Sequence, residues 1–94
     1  STQVTKCCNL LELNGWKIAG QSSHSTRFIN KAYSDCTIDI FYGGIDGIRL
    51  YLGREPFVET PINYFALVGA FAQAKLNLRL LGDEVVAIDD ELPF

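Results

Sequence analysis

Apolar positions recur with two different periods along the chain, and the changes of period mark its elements. In residues 2–13, Val4, Cys7, Cys8 and Leu11 fall on one helical face with Leu10 and Leu13 beside it, which predicts a short amphipathic helix. Asn14 and Gly15 follow, a pair that tolerates the left-handed backbone on which helices end. From residue 16 the period drops to two. Trp16 and Ile18 oppose Lys17 and Ala19, giving a strand over residues 16–20. "GQSSHS" reads as a loop, and residues 26–33 as a second strand of weaker alternation, because Phe28 and Ile29 are adjacent. The clearest alternation spans residues 36–42, with Cys36, Ile38, Ile40 and Tyr42 on one face and Thr37, Asp39 and Phe41 on the other. Residues 48–53 repeat it, with Ile48, Leu50 and Leu52 inward and Arg49 and Tyr51 outward.

Parity constrains how these last two strands pair. Matching the inward faces sets Tyr42 opposite Ile48 and Ile40 opposite Leu50, with residues 43–47 as a glycine-bearing loop. A two-residue turn at Gly43-Gly44 would oppose inward to outward residues. Residues 54–59 read as a link. Thr60-Pro61 then offers a hydroxyl cap followed by proline at a first helical position. A long apolar helix is expected from there to about residue 81, closed by Gly82. Residues 85–88 read as a short edge strand or an extended packed segment, and "DDELPF" as a solvated tail. The predicted fold is α+β: a short N-terminal helix, an antiparallel sheet of three to four strands with a short fifth near the C-terminus as an option, and one long helix packed on one sheet face. Residues 1–82 form one domain and residues 83–94 an acidic segment.

Composition narrows the class. The chain has 94 residues, one domain's worth, with 48% hydrophobic and 20% charged residues, so it is neither disordered nor short of core. No apolar run reaches the length needed to span a bilayer. The N-terminal residues lack the basic start and apolar stretch of a signal peptide, and the three cysteines are an odd number with two adjacent, so a cytoplasmic, reduced protein is expected. The net charge of −3 is unevenly spread: five carboxylates and no basic group lie in residues 83–94, leaving residues 1–82 slightly basic. That split argues against a nucleic-acid mimic, whose carboxylates would cover the folded surface.

A catalytic or metal-binding set is hard to assemble. His24 is the single histidine. Its neighbours Ser22, Ser23 and Ser25 lie on the same loop, whereas a nucleophile and its base normally come from separate rigid elements. Cys7, Cys8, Cys36 and His24 lack zinc-ligand spacing, and "GGIDG" sits in a hairpin with no helix after it to hold a phosphate. No enzymatic activity, cofactor or metal is expected.

Two surfaces carry more information. Phe41, Arg49 and Tyr51, with Asp39 and Thr37, place two aromatics and an arginine on the outward face of the central hairpin, the composition of an interface anchor. On the long helix, Ala66, Ala70, Gln73 and Asn77 form a small, barely polar strip where a surface helix normally carries Lys and Glu, which suggests a homodimer through close helix approach. The expected function is a non-enzymatic protein that occupies a protein partner: an inhibitor, immunity protein or accessory regulator of the sort bacteria and their phages encode. The alternative is nucleic-acid binding through the sheet, with Lys17, Arg27, Lys31, Arg49 and Arg54 against phosphates and Phe41 and Tyr51 stacking on bases. Against it, the start of the last helix lacks the lysine cluster of a double-stranded-RNA-binding domain.

Overall fold

The computed structural model describes residues 2–80. Helix α1 (Thr2–Leu13) leads into five antiparallel strands: β1 (Lys17–Gln21), β2 (Ser25–Ile29), β3 (Cys36–Phe41), β4 (Gly47–Leu52) and β5 (Glu55–Thr60). Helix α2 (Tyr64–Gln73) follows. The strands pair in chain order, β1-β2-β3-β4-β5, so the sheet is a meander in which every strand neighbours the next. Both helices lie on one face. Cys7, Leu10 and Leu11 of α1 and Tyr64, Leu67, Ala70 and Phe71 of α2 share one core with Phe28, Cys36, Ile38, Ile40, Ile48 and Leu50 of the sheet. Trp16, just before β1, is buried in that core, stacked on Tyr33 at 6.0 Å and edge-on to Phe71 at 5.6 Å.

The α+β class and the α1 boundary follow the apolar pattern, and the differences elsewhere have identifiable causes. The second strand stops at Ile29 because Asn30 caps a single 3-10 turn, Lys31–Tyr33, its side chain accepting from the Ala32 N–H. Residues 54–59, expected as a link, are largely β5. Pro56 is tolerated there because β5 is an edge, and Phe57 is bulged out between the Leu50–Val58 and Tyr51–Pro56 pairs. Thr60 pairs with Ile48 in the ladder and so does not cap a helix. Asn63 caps instead, its Oδ1 accepting from Phe65 N–H at 2.9 Å and Ala66 N–H at 3.1 Å.

The central hairpin keeps the expected parity but is shifted by two residues. Ile40 faces Ile48 and Phe41 faces Gly47. The loop is residues 42–46, because Asp46 Oδ1 accepts from the Gly43 N–H at 3.2 Å and closes the turn early. Gly43 has φ +102, a conformation that favours glycine, and a β-carbon there would sit a tight 3.2 Å from the Ser23 carbonyl.

The last helix is not long. It has 10 residues and ends well before Gly82. Lys75 adopts φ 58, Lys75 N–H bonds to the Ala72 carbonyl and Leu76 N–H to the Phe71 carbonyl, which is a Schellman motif. Helix α1 closes in the same way on Gly15, with Gly15 N–H to Glu12 and Trp16 N–H to Leu11. After Lys75 the chain has no regular secondary structure through residue 80, and Leu76 and Leu78 pack against the core. Asn77 N–H bonds to the Tyr33 hydroxyl, Arg79 N–H donates to Asn14 Oδ1, and Asn14 Nδ2 donates back to the Arg79 carbonyl at 2.8 Å. The edge strand or packed segment expected at residues 85–88 lies outside the described residues, as does the acidic segment.

Candidate functional site

The face of the sheet opposite the helices carries no helix among the described residues, and its middle row is a ladder of charges. Arg27, Asp39, Arg49 and Glu59 are direct cross-strand partners on β2, β3, β4 and β5. Signs alternate across the row, so each charge has opposite charges beside it. Arg27 grips Asp39 with two bonds, Nε to Oδ1 at 2.8 Å and Nη2 to Oδ2 at 2.9 Å. Arg49 Nη1 donates to the Tyr51 hydroxyl at 3.2 Å. Its Nε lies 3.5 Å from Glu59 Oε2, too far for a good hydrogen bond but close enough for attraction.

Aromatic rings hold the two guanidinium groups in place. Arg49 lies over the Phe41 ring at 5.1 Å, and Arg27 over the Tyr51 ring at 5.8 Å. The hydrogen bonds to Asp39 raise the Arg27 pKa further, and the hydrogen bond to Tyr51 does the same for Arg49, so both stay charged at any physiological pH.

The structure thus brings together Phe41, Arg49, Tyr51 and Asp39 as the sequence pattern suggests, but in different roles. Asp39 is an outward strand residue, yet only 5% of it is exposed. Both of its oxygens are used by Arg27, so it positions Arg27 and does not itself face a partner. Arg27 and Glu59 complete the row. Arg27 was visible only as a basic residue in a weakly alternating strand, and Glu59 lies on the strand that Pro56 disguised.

Two clefts flank the ladder at opposite ends. At the β3–β4 loop, Phe41, Ile45, Gly47, Ile48 and Pro61 line an open, mainly apolar groove of about 530 Å³ whose rim includes Arg49 and Glu59. Ile45 at its lip is 95% exposed. At the β4–β5 turn, Arg27, Thr37, Tyr51, Gly53 and Arg54 line a smaller one of about 280 Å³.

The helix strip fares differently. Ala66 is half-buried, Ala70 is buried in the core, Gln73 is exposed, and Asn77 lies beyond the helix end. These four residues therefore do not share one outer face. The early Schellman stop removes Asn77 from the helix, and the helix is rotated so that Ala70 points to the core. The exposed side of α2 instead presents Phe65, Ala72 and Gln73, with Gly69 between them partly covered.

The remaining candidates gain little organisation. Ser23 Oγ lies 3.1 Å from His24 Nδ1, but both are exposed on the loop, and among the described residues no group orients the other ring nitrogen. Ser22 Oγ is already accepting from the His24 and Ser25 N–H groups, which shapes the loop. Among the described residues no three His, Cys, Asp or Glu side chains converge on a metal position. Cys7, Cys8 and Cys36 are free thiols. Burial pushes Cys7 up to about 12 and Cys36 up to about 11, far from the thiolate a nucleophile needs.

No protein-family model matches the chain, and neither does any curated protein or solved structure.

Proposed function

We propose that this is a non-enzymatic protein that acts by occupying a protein partner through the open face of its sheet. The observation that carries this reading is the pinning of two arginines by two aromatics and two carboxylates on a face that carries no helix among the described residues. Arg and Tyr are the residue types that dominate interface energetics, and a side chain held in place before binding loses less entropy on binding. The same pinning favours protein over nucleic acid. The ring faces of Phe41 and Tyr51 that bases would stack on carry guanidinium groups, and the two central arginines are already matched by Asp39 and Glu59. An inhibitor, immunity or accessory role of bacterial or phage type is the biological setting we attach to this reading.

The test is a photo-crosslinker placed at Thr37, on the outward face, in the full chain. A specific adduct with one protein, lost in the Phe41→Ala/Tyr51→Ala double variant and kept in Phe65→Ala, is the expected result. Adducts only with nucleic acid, with affinity falling steeply as salt rises, would replace this reading by the alternative. Homodimerisation belongs to the same proposal, with its surface moved to Phe65, Gly69, Ala72 and Gln73 on the exposed side of α2.

A further inference from the structure

The cleft at the β4–β5 turn has a chemistry that the rest of the face lacks. Its lining is two arginines, two hydroxyl-bearing residues and a glycine, with no carboxylate among them. Arg27 spends Nε and Nη2 on Asp39, which leaves Nη1 uncommitted among the described residues. Tyr51 accepts a hydrogen bond from Arg49, so its own hydroxyl proton is available to donate. Thr37 supplies a second hydroxyl. Arg54 makes no ion pair among the described residues and is exposed at the rim. Four donor groups therefore surround one small space, and Asp39 neutralises one of the two cations from the adjacent row.

We propose that this cleft receives the carboxylate of an acidic segment of the partner protein. It rests on the protein-partner reading above and adds the partner's chemistry. One guanidinium with no ion pair among the described residues and two hydroxyls match a singly charged, planar carboxylate, and Arg27 already displays the two-point carboxylate geometry with Asp39. A phosphate dianion would leave excess negative charge beside Asp39. The apolar groove on the other side of the ladder offers a longer segment a place to bury apolar side chains.

The experiment is titration of the ¹⁵N-labelled full chain with a hexaglutamate peptide at low salt. Saturable shifts confined to the amides of Thr37, Tyr51, Gly53 and Arg54 are expected. Arg54→Gln should weaken binding by about tenfold or more while leaving the other amide positions unmoved, and Tyr51→Phe by a smaller factor. Raising the salt should reverse the shifts. Absent or scattered shifts overturn the proposal, as does inorganic phosphate moving the same amides at lower concentration than the peptide. A second arm replaces Asp83, Glu84, Asp89, Asp90 and Glu91 by their amides. Unchanged peptide affinity supports a site open to a partner, whereas a tenfold gain shows that the chain's own carboxylates compete for it and overturns the partner as its occupant. If the Thr37 crosslink persists while the peptide titration fails, the cleft assignment falls and the partner reading stands.

Discussion

The two faces of the sheet are built from the same strands by opposite rules. On the helix side, Phe28, Ile38, Ile40, Ile48 and Leu50 fill volume, and any apolar group of the right shape would serve there. On the other side, identity and register matter. Arg27, Asp39, Arg49 and Glu59 must alternate in sign at matched positions, and Phe41 and Tyr51 must lie one pair away to carry the arginines. A merely solvated sheet face needs polarity and no such order. The comparison teaches that the inner face depends on apolar volume, whereas the outer face depends on the identity and register of particular charged and aromatic residues.

The contrast predicts very unequal responses to one substitution. Phe28→Ala should lower stability by about 3–5 kcal/mol, since it opens a cavity in the core. Phe41→Ala, half-buried on the outer face, should cost about 1 kcal/mol. Urea unfolding of both variants reads the difference, and similar losses would erase the distinction between the faces.

A second difference lies within the ladder. Asp39 is the buried member of its pair, whereas the Arg27 side chain is 54% exposed. Arg27→Ala should cost about 1–3 kcal/mol, because it leaves the buried Asp39 carboxylate without the donor that both of its oxygens use. Asp39→Ala should cost less, about 1 kcal/mol or under, because the exposed Arg27 guanidinium it leaves behind is solvated. Equal costs would mean that the ladder behaves as a plain surface ion pair.

Alkaline pH probes the inner face through its buried thiols. The folded chain holds the Cys7 and Cys36 protons up to about 12 and about 11, well above the ordinary 9.0. The unfolded chain loses its thiol protons first as pH rises, so this contribution to stability is complete below about 9.0 and is lost between there and the raised values. The loss should amount to about 1 kcal/mol per pH unit for each buried thiol, and it should shrink in Cys7→Ala when unfolding is compared at either end of that window. Over the same range Cys8, half-buried, should react with iodoacetamide before Cys7 or Cys36.

The smallest expected effect on stability is Gly69→Arg. A β-carbon there meets nothing within 4 Å, and leaving glycine favours a helix, so stability should hold or rise by up to about 1 kcal/mol. Light scattering should show a mass near twice the 10.4 kDa chain for the parent protein and near the single chain for this variant. A parent of single-chain mass removes the homodimer from the proposal.

The legible parts of this fold share one property, a local signal with no competitor. Asn14-Gly15 announced the end of α1 because glycine reaches the left-handed conformation freely, and Gly15 has φ 86. The same motif ends α2 on Lys75, where nothing in the residue's identity signals it, so the helix read as running on to the next glycine. β5 was hidden for a related reason. Pro56 and two glutamates argue against a strand, and only the pairing with β4 makes an edge of them. In the hairpin, parity fixed which faces match but not the register, which the Asp46–Gly43 bond decides. At the site, Phe41, Arg49 and Tyr51 were legible from alternation. Their coupling to Arg27 and Glu59 depends on the register of β2 against β3 and of β5 against β4, which alternation within one strand does not show.

The meander has a consequence in time. Every strand pairs with one made just before or after it, so the sheet can assemble progressively as the chain emerges, with little loop to close at each step. Helix α1 enjoys no such convenience. It is synthesised before the sheet, yet its partners include Leu67 and Phe71, and its ends are tied by the Gln3 side chain to Tyr64 N–H and by Asn14 to Arg79. An element made before the sheet is locked only after it, so α1 waits on the completion of the strands and of α2 that follow it.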